Sequence, residues 1–187
     1  MTQHTAPERA LRADAQRNRQ RLLEVALRVL SENGDAPLDA IAKAAGVGSG
    51  TLYRHFPTRE ALIEAVYQNE LTALCASADH LLASTDARTA LRTWLHSVLD
   101  YATTKRGLAD ALRAVIATGV NPFENSRARM LAALEALLGA AVEAGVVRAD
   151  VQSIDVLTTV SGFSLASSDP EQHERLLDLL LAGLAPG

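Results

Sequence analysis

The sequence predicts an all-α chain of about nine helices. Three observations carry that prediction: Ala and Leu dominate the 187 residues while aromatics make up only 4%, runs of β-branched residues are absent, and apolar residues recur at three- and four-residue spacing between Gly and Pro stops. A hydrophobic content of 48% is ample for burial, as one large or two small domains.

Residues 1–16, MTQHTAPERALRADAQ, lack a hydrophobic signal region and read as a polar, flexible arm. From Arg17 the pattern turns helical, with Leu22, Leu23, Ala26, Leu27 and Leu30 on one side and Arg19, Arg21, Glu24 and Arg28 largely on the other. Asn33-Gly34 stops it, Gly34 suiting the left-handed residue past a helix end, and Pro37 stands at the next start. Two short apolar-periodic segments follow, Leu38 to Ala45 and Ser49 to Phe56, with only Gly46-Val47-Gly48 between them. That spacing permits only a tight turn, which is helix-turn-helix punctuation. Small residues (Ala40, Ala42, Ala44, Ala45) let the first of the pair approach its neighbour, and the second spends its positions on Ser49, Thr51, Tyr53, Arg54 and His55 instead of core residues. With the helix from Arg17 packed across them, residues 17–57 make a three-helix domain.

Pro57-Thr58 marks another start, with Thr58 as the cap and Glu60 in the first turn. Leu62, Ile63, Val66, Leu74, Leu81 and Leu82 carry a loose stripe to Ala83, so residues 58–83 form a connecting helix of about 39 Å that can transmit a tilt. Residues 84–187 then read as a second helical domain. Its helices run from Asp86 to about Lys105, Leu108 to Thr118, about Asn125 to Ala144, Val151 to Leu165 and Glu171 to Leu184, punctuated by Gly107, Gly119, Asn121-Pro122 and Gly145.

Net charge is −4, yet it is unevenly spread. Arg9, Arg12, Arg17, Arg19, Arg21 and Arg28 cluster near the helix pair against only Asp14 and Glu24, while the later chain is acidic. This fits a protein that meets a polyanion with one end only, although a solvated helix face accounts for the arginines equally well. No apolar stretch approaches the roughly 20 residues of a membrane span. The single Cys75 excludes an internal disulfide, and a cytoplasmic location without membrane partners is expected.

An enzyme is not expected. His4, His55, His80, His96 and His173 are scattered without metal-ligand spacing. The run Gly46-Val47-Gly48-Ser49-Gly50 follows a helix, lacks the lysine of a phosphate loop, and lacks the register of a nucleophile elbow. Asp169 and Glu171 flank Pro170 as helix-capping carboxylates. No cofactor or metal site is expected.

Two further surfaces are expected in residues 84–187. Trp94, His96, Tyr101, Arg113, Phe123, Met130 and Phe163 are the few aromatic and polar groups on aliphatic helices, the composition of a small-molecule pocket. Val156, Leu157, Val160 and Phe163, with Leu176, Leu177 and Leu180 of the last helix, form an apolar patch suited to a second subunit. The alternative, that these residues close the protomer's own core, stays open.

The stretch IAKAAGVGSGTLYRHFPTREALIEAVY resembles the amino-terminal DNA-binding domain of the tetracycline-repressor (TetR) family of bacterial transcriptional regulators. The likeness covers Arg19 and Leu23 through Val66 and includes Ile41-Ala42, Ala45-Gly46-Val47, Gly50-Thr51-Leu52-Tyr53, His55-Phe56 and Glu60-Ala61-Leu62. Beyond residue 70 only helix number and order match. The resemblance implies a homodimer on a palindromic double-stranded DNA operator, a small-molecule effector that releases it, and repression as the outcome. It further implies that Ser49, Gly50, Thr51 and Arg54 enter the major groove, with Arg54 on a guanine. Tyr53, His55 and Thr51 are assigned to phosphates, as is Arg59 at the start of the long helix, and Phe56 to the core. Three positions depart from the family's common pattern: Gly48 and Pro37 stand where Ser or Thr caps are usual, and Arg59 replaces a lysine. A DNA-binding protein without an effector, and an all-α small-molecule binder without a DNA role, are the other readings.

Overall fold

The computed structural model describes residues 6–187, with side-chain surroundings from residue 16 onward. Nine α-helices and no strand occur among the described residues. Helix α1 runs from Ala6 to Glu32, so it begins ahead of the expected start at Arg17. The intervening residues are mostly Ala, Arg, Leu and Gln, which favour helix, and Pro7 stands in the first turn where proline is tolerated. Apolar periodicity marks only the part of a helix that faces a core; intrinsic propensity carries α1 further back. Of the expected arm, residues 1–5 lie outside the described residues.

Helices α2 (Leu38–Ala45) and α3 (Ser49–His55) pack in succession behind α1. Their shared core is Leu22, Leu23, Ala26 and Leu30 of α1, Ile41, Ala42 and Ala45 of α2, Leu52 of α3, and Phe56, each at most 3% exposed. Helix α4 continues unbroken from Arg59 to Ser84. The Thr58 hydroxyl accepts the Ala61 amide at 3.1 Å and so caps its start. Leu62, Ile63 and Val66 join the core.

Two compact units emerge. The first holds the described residues up to Asn69 together with Gly107–Pro122, which includes α6 (Ala109–Ala117). There the Gln68 side-chain amide donates to the Pro122 carbonyl at 2.8 Å. Chain order alone gives no sign of this grouping.

The second unit holds Glu70–Arg106 and Phe123–Gly187. It takes in the rest of α4, α5 (Ala87–Gly107) as far as Arg106, α7 (Ser126–Glu143), α8 (Ser153–Ala166) and α9 (Pro170–Leu184). Leu71, Leu91, Trp94, Leu95, Leu134, Leu137, Val160 and Leu177 are fully buried in it. Carboxylates cap two of its helices. Asp86 accepts the Thr89 amide at 3.0 Å and its hydroxyl at 2.6 Å, which holds the Asp86 carboxyl below its ordinary range. Asp169 accepts the Glu171 amide at 3.0 Å beside Pro170. Arg92 of α5 pairs with Glu174, at 2.6 Å, and with Asp178 of α9. His96, one turn on, lies 2.9 Å from Glu174 and 3.2 Å from Asp100. Partly exposed pairs of this kind contribute about 1 kcal/mol or less each, so they set the register of α9 on α5 more than they stabilise it. No helix among the described residues is long and apolar enough to cross a membrane.

Candidate nucleic-acid interface

Two backbone features set the angle between α2 and α3. Gly46 adopts the left-handed conformation at φ 69°, with its amide on the Lys43 carbonyl at 3.1 Å, and the Val47 amide reaches the Ala42 carbonyl at 3.0 Å. This closes α2 in the manner expected of a glycine beyond a helix end. A methyl group at Gly46 would stand 3.9 Å from the Arg21 guanidinium, an ordinary contact, so the cost of Gly46→Ala is backbone strain alone. The expected loss is about 1–2 kcal/mol, read as a lower denaturation midpoint at unchanged slope; an unchanged midpoint would contradict the role given to this glycine.

Gly48 begins α3 in extended conformation, at φ −70° and ψ 145°, without a side-chain cap. Ser49 lies inside the helix as its first residue, so it does not replace the missing cap. The Gly48 carbonyl accepts the Thr51 and Leu52 amides at 2.9 and 3.2 Å.

Helix α3 buries a single side chain, Leu52, at 0% exposure. Ser49, Gly50, Thr51, Tyr53, Arg54 and His55 are all exposed, Tyr53 at 45% despite its size. Among the described residues, no hydrogen bond or ion pair within the chain engages the side chains of Ser49, Thr51, Tyr53 or Arg54. What fixes so short a helix is Leu52 at its middle, in the core, and Phe56 just past its end, 3% exposed, with the Arg19 guanidinium 5.5 Å from its ring centroid. The result is a rigidly mounted cylinder with a free polar face. An α-helix of this kind fits the major groove, about 12 Å wide, and its hydroxyl, phenol, imidazole and guanidinium donors suit base edges and phosphates.

Arg59 differs from the other six. It is half-buried, and its two Nη groups donate to the backbone carbonyls of Ala36 and Gly34.

The groups expected to bind a small molecule fall in several places. Trp94 is wholly buried and its indole N–H donates to the Leu74 carbonyl at 2.9 Å. Tyr101 lines an open groove of about 260 Å³ beside Leu74, Ser77, Ser97, Asp100 and Glu70. Phe123 lies beneath the Lys105 ammonium, 4.0 Å from its ring centroid, and burial pushes Lys105 down. Met130 and Phe163 are half-buried. Arg113 belongs to the first unit, exposed on α6 and paired with Asp110. Of the apolar residues assigned to a second subunit, Val156, Val160 and Leu177 are at most 2% exposed within the protomer, and Leu176 and Leu180 are half-buried. Leu165 and Leu179, at 82% and 70% exposure, are the large apolar side chains that α8 and α9 leave uncovered. Sequence pattern alone did not single them out. Cys75 is half-buried, and burial pushes its thiol up against an opposing pull from Arg129. Among the described residues no three His, Cys, Asp or Glu side chains gather as metal ligands.

Residues 22–66 match the family model for bacterial regulatory proteins of the tetR family, and residues 86–186 match that for the C-terminal domain of SbtR-like transcriptional regulators. A TetR transcriptional regulator from Streptomyces coelicolor is 53% identical, and its crystal structure superposes with a TM-score of 0.85, covering 90% of this chain and 98% of that one. A TetR transcription regulatory protein from Mycobacterium vanbaalenii is 37% identical with a TM-score of 0.79, covering 94% and 99%. An HTH-type transcriptional regulator of Staphylococcus aureus (strain USA300) is 43% identical over 63 residues, 33% of this chain. That match spans 34% of the relative's own length.

Proposed function

The chain belongs to the TetR family of bacterial regulatory proteins, a family of helix-turn-helix transcriptional regulators, and we propose that it acts as a homodimer on an approximately palindromic operator, as a repressor that a small molecule releases. The observation that carries this reading is the free polar face of α3, with Leu52 alone buried. Arg54 takes a guanine in bidentate fashion, and Ser49 and Gly50 let the backbone approach the base edges. Thr51, Tyr53 and His55 hold phosphates, which set register without reading sequence. A gel shift with DNA from upstream of the chain's own coding sequence is expected to give a discrete complex that survives about a hundredfold excess of unrelated duplex. A complex lost to equal competitor would contradict sequence-specific binding.

Dimerisation is assigned to the outer faces of α8 and α9, with Leu165 and Leu179 as anchors and Leu176 and Leu180 beside them. Val156, Val160 and Leu177 support that face from within the protomer. Two leucines per protomer, each contributing about 1.5–3 kcal/mol on burial, make the interface sensitive to charge. The double substitution Leu165→Asp, Leu179→Asp is expected to sediment as a folded monomer at micromolar concentration, where the parent chain is a dimer. A dimeric variant would sink the assignment.

Effector binding is assigned to the second unit, with the groove beside Tyr101 as the entry point. Release follows by linkage if the effector favours an arrangement in which the two α3 helices no longer meet successive grooves; a ligand that binds both arrangements equally does nothing. The continuous α4, which runs out of the first unit into the second, is the covalent route for that signal.

A further inference from the structure

We propose that Arg59 is a positioning residue that clasps the entry to α2 and thereby fixes α3, and that it does not meet a DNA phosphate. It stands first in α4 and forks onto the carbonyls of Ala36 and Gly34, 23 and 25 residues earlier in the chain. Besides burial of Ala36, the segment it grips has only local supports. Pro37, at the cap position of α2, makes no side-chain cap bond, and the turn before it relies on Asn33, whose side chain accepts the Asp35 amide at 3.1 Å and whose carbonyl accepts the Ala36 amide at 3.0 Å. The clasp closes a ring. From Ala36 the chain passes through α2, the Gly46 turn, α3 and the Phe56-Pro57-Thr58 corner, then returns through the guanidinium to Ala36. Helix α3 is therefore held between two fixed points of one closed loop, in addition to Leu52 beneath it.

Chemistry distinguishes a clasp from a phosphate contact. Both donor branches of the planar guanidinium point at protein oxygens, and Arg59 is half-buried whereas Arg54 and His55 are exposed. A lysine delivers its charge to a phosphate almost as well, yet its single compact ammonium cannot bridge two carbonyls with the same planar fork. Arg59→Lys and Arg59→Ala thus behave alike if Arg59 is a clasp and differently if it holds DNA.

The test has two arms, because the clasp's effect on DNA rests on the reading that α3 meets DNA. In the first, amide hydrogen exchange is followed in the full-length protein without DNA. Both variants are expected to exchange about tenfold faster at Ala36, Ala40 and Ile41, the loss of opening protection that accompanies losing a charge-assisted hydrogen bond, with α7 amides unchanged as the check that the fold persists. In the second, affinity for a duplex selected in vitro on the parent chain is measured against salt concentration. Both variants are expected to bind about tenfold more weakly with the parent's salt dependence. A phosphate contact would instead make the Arg59→Ala slope shallower by about 0.9 per contact while Arg59→Lys kept the parent's slope. That result, or parent-like exchange in both variants, overturns the clasp. Should no duplex be selected, the DNA reading fails while the exchange arm still decides the clasp.

Discussion

Replacing Arg54 with alanine is expected to weaken operator binding by more than an order of magnitude while leaving the protein folded and dimeric. Arg54 is exposed on α3, no other group of the chain competes for its guanidinium among the described residues, and nothing in the core depends on it. A bidentate Arg–guanine pair contributes about 1–3 kcal/mol of discrimination, and a dimer carries two. The combined loss, about 2–6 kcal/mol, is a factor of roughly thirty to twenty thousand in affinity for the operator. Affinity for unrelated duplex should fall far less, since nonspecific binding is carried by phosphate contacts. Titration of both duplexes by fluorescence anisotropy checks this. Equal losses on the two would make Arg54 a phosphate ligand, and no loss on either would remove it from the interface.

The largest effect on stability is expected at Trp94. Its side chain is fully buried and its indole N–H bonds the Leu74 carbonyl, where the Ser77 hydroxyl also donates at 2.8 Å. Trp94→Ala empties the largest fully buried volume in the second unit and costs about 3–5 kcal/mol, out of the 5–15 kcal/mol typical of a folded domain. At about 2–4 °C per kcal/mol for a chain of this size, the melting temperature should drop by roughly 6–20 °C. Trp94→Phe keeps most of the packing, and Ser77 still serves the Leu74 carbonyl, so its cost should be a small fraction of that. Calorimetry decides between the two roles open to this residue. A tryptophan that lines an effector cavity would leave the melting temperature near the parent value when truncated.

The two surfaces differ in how far the amino-acid pattern exposes them. On α3 the residue types suffice. Six non-core residues around one leucine on a helix of seven positions can only face outward, whereas the left-handed glycine expected at Gly34 is found instead at Gly46, in the turn between α2 and α3. Arg59 shows the limit. A basic residue at a helix start satisfies a phosphate and a pair of carbonyls equally well, and only the approach of the Gly34–Ala36 segment, far away in sequence, selects between them. On α8 and α9 the apolar stripe of Val156, Val160 and Leu177 is compatible with core and interface alike, because both bury the same groups. The exposed leucines, Leu165 and Leu179, are legible only once the protomer's core has closed around the others. Helix α1 illustrates a third case, where periodicity begins at Leu22 but helix-favouring composition carries the helix back to Ala6.

The most direct test of a paired α3 reading head is in vitro selection of random duplexes on the full-length chain, followed by the mass of the complex it forms with the winning sequence. An inverted repeat is expected, its half-sites about one DNA turn or more apart, bound by an even number of protomers, with Arg54→Ala erasing the preference at one symmetry-related guanine pair. Selection of no sequence, or of a single asymmetric site held by one protomer, would contradict the account.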